Sequence, residues 1–190
     1  MPIKEKQSIC TLCGDDVVRF QKSRKGWSSD KTKFMFVLHK PDTRVNQNVL
    51  AFSDRYDVAL SETKTGKELV RMLKYNELSI DDIYLTNLFK CVLKGDRNPK
   101  VGEYKNCMGN FRKELQNFNP EKMVLFGSTT FKVLFPGLAE IKKHEELWGQ
   151  KRFYMGIPTL MLPHPSKSSY FSQERRINEF YEPLKEFLGL

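Results

Sequence analysis

Four cysteines, Cys10, Cys13, Cys91 and Cys107, are the residues whose types and spacing most directly suggest chemistry. The first two form a C-x2-C pair, a spacing at which two thiolates can share one metal. The second two are separated by fifteen residues and fall, by local pattern, on a strand end and on a helix. A zinc ribbon closes with a second tight pair, which this chain lacks. Four thiolates from distant segments suit either structural zinc or a 4Fe-4S cluster, and spacing does not choose between them. Four unrelated buried cysteines are the plainer alternative. The opening MPIKEKQSIC has no apolar core of a secretory signal, and no apolar run approaches the ~20 residues of a membrane helix. An intracellular protein without membrane contact is therefore expected. There disulfides are disfavoured and metal binding is the better use of four thiols.

Lys and Arg number 32 against 23 Asp and Glu, a formal charge of +9. Such an excess favours a polyanion partner, because neutralised phosphates release condensed counterions. Charge alone equally describes a basic protein with no nucleic-acid role. Two other features carry less. TGKEL around Gly66 and Lys67 resembles a phosphate loop, but the glycine required five positions before Gly66 is Ser61. His144, in KKHEEL, reads as a solvated surface residue.

The elements that must position these groups follow from periodicity. Apolar runs at Phe34–Leu38, Ile83–Phe89, Met123–Phe126 and Thr159–Leu162 read as buried strands. Helical patterns lie at Gly66–Tyr75, Glu103–Phe118, Ser128–Phe135 and Gln173–Leu188. Ser128 is the expected N-cap of the third and Pro183 the expected kink of the last. Strands alternating with helices predict an α/β fold, a three-layer α/β/α sandwich around a four-stranded, mainly parallel sheet. At 190 residues a single domain is expected, with residues 1–30 as an irregular, cysteine-bearing segment wrapped on the core. Ligands of such folds bind beyond the carboxyl ends of the strands. HKPDTR, KCVLKGDRNP, GSTT and PHPSKSS all fall there.

The stretch TNLFKCVLKGDRNPKVGEYKNC resembles the iron–sulfur families of uracil-DNA glycosylases. Thr86, Asn87, Lys90, Cys91, Gly95, Arg97, Pro99 and Cys107 match their pattern, as does the N-terminal C-x2-C. VLFGSTTFKVLF is similar to the family's L-G-x-T-A helix start, and His164–Ser166 to its H-P-S motif. The likeness covers nearly the whole chain in the expected order. It implies a hydrolase that cuts the glycosidic bond of a flipped, deaminated base in DNA, and a 4Fe-4S cluster on Cys10, Cys13, Cys91 and Cys107. The chain departs from the pattern in its first motif, where G-E-A-P-G is replaced by LHKPD and only Pro41 is kept. His39 takes the acidic position, and both glycines are absent. The G-N-R turn reads GDR, with Asp96 in place of Asn. A catalytically silent DNA-binding relative is the alternative that these departures raise.

The resemblance and the residue types together give each side chain a role. Asn87 can read a pyrimidine edge, or cap backbone at a strand end. Phe52, eleven positions after Pro41, is the candidate for stacking on the base, or a core aromatic. His164 can donate to the base oxygen on which charge develops. Asp96 or Asp42 can orient water, and His39 can position water or touch the base. Ser166, Lys167, Ser168 and Ser169 form a polar loop suited to phosphate contacts. Tyr170 and Phe171 either wedge the vacated base stack or pack the next helix.

Overall fold

The protein is described by a computed structural model covering residues 17–20, 24–25, 33–41, 63–138, 140–141 and 143–190. In chain order the elements are β1 (Val17–Phe20), β2 (Arg24–Lys25), β3 (Phe34–Leu38), α1 (Lys64–Tyr75), β4 (Ile83–Asn87), β5 (Cys91–Leu93) and α2 (Val101–Phe118). They continue with β6 (Lys122–Phe126), α3 (Ser128–Leu134), β7 (Lys151–Tyr154), β8 (Ile157–Leu162), α4 (Pro165–Ser168), α5 (Gln173–Arg176) and α6 (Glu182–Leu188).

The four expected strands form the parallel centre of a six-stranded sheet in the order β2-β4-β3-β6-β8-β7. Because strand side chains alternate between faces, each central strand feeds two layers. Met35, Val37, Met123, Leu125 and Met161 meet Phe111 and Leu115 of α2 and Phe131 of α3. Phe36, Leu38, Val124, Phe126, Leu160 and Leu162 meet Leu69 and Leu73 of α1 and Phe180 and Leu184 of the C-terminal helices. Three layers result. On the second face Glu68 of α1 is buried, accepting from Tyr181 at 2.5 Å and from Arg176 at 3.0 Å. No described helix is long and apolar enough to cross a membrane.

Four local expectations are corrected. The sheet gains antiparallel edge strands β2 and β7, which pair by backbone while β7 keeps an exposed face. The N-terminal segment is not wholly irregular, since β1 pairs antiparallel with β5, bringing Phe20 opposite Cys91. The N-cap of α3 is Gly127, at φ +89°, and Ser128 is its first helical residue. At the expected kink, a π-helical turn over Ile177–Tyr181 precedes α6. Pro183 has no N–H to continue the ladder there, so the turn widens.

Candidate functional site

The carboxyl ends of β3, β4, β6 and β8 stand in one row. Leu38 is in register with Asn87, and Phe126 with Leu162. Past the strand ends the pairing continues through Leu88 N to Leu38 O at 2.8 Å and Phe89 N to His39 O at 2.9 Å. Across the row Gly127 N donates to Leu162 O at 2.9 Å. This stitching brings His39, Asn87 and His164 to one edge of the sheet.

His164 caps α4 with its own ring. Its Nδ1 accepts from the Ser166 backbone amide at 3.3 Å and lies 2.8 Å from Ser166 Oγ. An amide can only donate, so Nδ1 is the lone-pair nitrogen and the neutral ring carries its proton on Nε2. Gly127 permits this close approach. A Cβ there would lie 3.4 Å from His164 Cβ, on a backbone at φ +89° that L side chains rarely adopt.

His39 Nε2 is hydrogen-bonded to Tyr104 of α2, their rings within 18° of parallel and 5.8 Å apart. Burial, then the nearby Lys40 and His164, push the His39 imidazole down to about 4, so it stays neutral at physiological pH. Burial and Glu103 push the Tyr104 phenol up to about 12, so it keeps its proton. Asn87 is buried at the end of β4, 6% exposed, and its Oδ1 accepts no hydrogen bond from the described residues.

Beneath the strand end lies a second group. Lys90 is 1% exposed, its Nζ 2.5 Å from Glu114 Oε2 and hydrogen-bonded to Thr86 Oγ1. Thr86 Oγ1 donates to the same carboxylate oxygen at 3.0 Å. The Lys90 backbone amide points at Cys107 Sγ, 3.5 Å away. Cys91 and Cys107 are both buried and unbridged. A hydrogen bond from the Cys91 side chain, then the Lys90 amide and charge, outweigh burial and hold the Cys107 thiol down to about 7. Two thiols placed together, with Cys107 biased toward thiolate, fit a metal ion or cluster.

A model of the uracil DNA glycosylase superfamily matches residues 26–188 of this chain. The chain belongs to that superfamily. It is similar to the Type-4 uracil-DNA glycosylase of Archaeoglobus fulgidus, 28% identical over 127 residues, 60% of this chain and 64% of that protein. It is also similar to the Type-4 uracil-DNA glycosylase of Saccharolobus solfataricus, 28% identical over 136 residues, 65% of this chain and 61% of that protein. The chain thus spans under two thirds of the length of the curated relatives it matches.

Within this glycosylase-superfamily fold, the other sequence-derived candidates are placed as follows. Cys10, Cys13, Asp42 and Phe52 lie outside the described residues. Asp96 ends a 3-10 turn, Lys94–Asp96, that leads from β5. That turn is anchored to α2 by Arg97, which grips Glu103 through two nitrogens at 2.8 and 2.7 Å. Ser166 Oγ faces His164, and Ser169 Oγ donates to Ser166 O at 2.8 Å. Ser168 is buried, its hydroxyl donating to Pro165 O at 2.9 Å. Lys167 Nζ lies 3.5 Å from Glu145 Oε1 and 5.0 Å from the Trp148 ring centre. Phe171 packs against Trp148 and Phe180, whereas Tyr170 is 74% exposed, with Lys64 Nζ 4.5 Å from its ring centre and donating to its hydroxyl at 2.7 Å. His144 is exposed, as its charged surroundings predict. Tyr104 and Glu114 stand at none of the motif positions that the sequence offers for the site. The signal for Tyr104 was its place one helical turn before Cys107 on α2.

Proposed function

We propose that the protein is a monofunctional DNA glycosylase that hydrolyses the N-glycosidic bond of uracil or another deaminated base. The observation that carries this reading is the His164 ring, whose Nδ1 accepts from the Ser166 amide and so leaves the proton to Nε2, at the same sheet edge as Asn87 and His39. A base leaves as an anion, and a preorganised N–H donor stabilises the charge as it develops. His164 Nε2–H is that donor. Asn87 holds both a donor and an acceptor on one short side chain and reads the edge of the extrahelical base. Water is the nucleophile, with Asp96 or Asp42 orienting it and Phe52 stacking on the base. Lys90 is committed to Glu114 and Thr86, which leaves it poorly suited to attack a sugar.

Cys91 and Cys107, with Cys10 and Cys13, would hold a 4Fe-4S cluster. Such a cluster would brace the fold without taking part in hydrolysis, which transfers no electrons. Cys13 stands four residues before Val17 in the sequence, and β1 pairs with the strand that opens on Cys91, which supports one site shared by the four cysteines. Ser166, Lys167 and Ser169 contact phosphates of the DNA, with Ser168 capping the loop from inside.

The silent DNA-binding relative is the second reading, favoured by one observation. The residue at the acidic position of the first motif, His39, is tied to Tyr104. Base release from oligonucleotides containing uracil, hypoxanthine or xanthine decides between the two. Release of any one supports the enzyme; release of none, with DNA binding intact, supports the relative.

A further inference from the structure

His39 is where this chain departs most from its family's pattern, and the departure changes the hydrogen-bond chemistry of the position. An ionised carboxylate can only accept; a neutral imidazole accepts at one nitrogen and donates at the other. Which nitrogen donates is set by what the ring is tied to, and His39 is tied through Nε2 to the Tyr104 hydroxyl. An unprotonated imidazole nitrogen is a stronger acceptor than a phenol oxygen, and a phenol O–H a stronger donor than an imidazole N–H. The phenol therefore donates, and the His39 proton sits on Nδ1.

Tyr104 is held for this task from several sides. It packs with Phe89, Cys91, Leu93 and Cys107. The Phe89 ring meets it edge-on at 5.9 Å, and the Phe89 amide donates to His39 O at 2.9 Å. Ring and backbone of His39 are thus both fixed by residues that flank the cysteine pair.

We propose that Tyr104 is a positioning residue that locks His39 as its Nδ1–H tautomer, so that His39 adds a neutral N–H donor beside the Nε2–H of His164 for the departing base. This rests on the glycosylase reading and extends it. The acidic position of the family pattern has become a second donor on the leaving-group side, suited to bases with a carbonyl or ring-nitrogen acceptor there.

The test is nitrogen-15 histidine NMR on the full protein, with His39 assigned by loss of its signals in His39→Gln. In the wild type His39 should appear as a single Nδ1–H tautomer, and in Tyr104→Phe as a mixture. A wild-type Nε2–H tautomer, or one unchanged by Tyr104→Phe, overturns the proposal, and the wild-type reading needs no variant to fold. Single-turnover base release from a uracil oligonucleotide then probes the consequence. Tyr104→Phe and His39→Gln should each slow it on the order of 10-fold, and the double variant no further, since both remove one interaction. Additive losses overturn the proposal. Failure of the glycosylase reading looks different: His39 is the Nδ1–H tautomer but the wild type releases no base.

Discussion

Lys90 and Glu114, twenty-four residues apart, meet at 2.5 Å with the lysine 1% and the glutamate 21% exposed. Desolvation pulls the Lys90 ammonium down from its usual range, and the Glu114 carboxylate opposes that pull. The pair joins the loop after Asn87 to the helix carrying Cys107. Removing one partner of a buried pair leaves the other charge uncompensated, which costs about 3–5 kcal/mol. Glu114→Ala should therefore destabilise by that amount in urea unfolding, and Glu114→Ala with Lys90→Met by markedly less. Equal losses in the single and double variants would show the pair to be unimportant.

A second expectation concerns pH. The folded His39 ring takes a proton only near pH 4, against 6.5 for an ordinary histidine. Between those values the unfolded chain binds a proton that the folded one refuses, so stability is highest above 6.5 and falls as pH drops toward 4. At 1.36 kcal/mol per unit the loss is at most about 3 kcal/mol. His39→Gln should lack this decline between pH 6.5 and 4. Glu103 acts in a lower window: its Arg97 partner holds it to about 2, so its contribution is lost only as pH falls below 4.5. Parallel stability curves for wild type and His39→Gln would contradict the assignment.

Much of this fold is legible in the sequence. FMFVL, MVLF and TLML are buried on both faces, so they lack alternation and read as central strands. The IYLTNLF run outlasts its strand by two residues, because Leu88 and Phe89 turn their amides onto Leu38 and His39 after the strand ends. Edge strands β2 and β7 leave no such mark, because backbone pairing at a sheet edge needs no apolar pattern, and RK and KRFY have none. The motifs found Asn87 and His164. They did not find Tyr104 or Glu114, whose partners lie 65 and 24 residues away and come together only when α2 packs across the strand ends.

The cysteine set predicts its own metal. Protein purified without oxygen should be brown and hold about four irons per chain. Cys107→Ala should lose both colour and iron, read by absorbance and metal analysis. Stoichiometric zinc without iron would replace the cluster with a zinc site.

Lys167 is half exposed beside Glu145, so it can exchange that partner for a phosphate. Lys167→Ala should flatten the dependence of log affinity on log salt by roughly one phosphate, about 0.9 in slope for duplex DNA. An unchanged slope would put this loop away from the backbone.

The most direct measurement is single-turnover base release by wild type and His164→Ala, on whichever deaminated base the wild type accepts. Loss of one donor to a developing anion costs roughly 100- to 1000-fold. The variant should slow by that factor while its affinity for an abasic-site analogue changes little, because phosphate contacts supply most binding. A wild type that releases uracil, hypoxanthine and xanthine at no measurable rate, or a His164→Ala variant as fast as wild type, would contradict the catalytic role of His164.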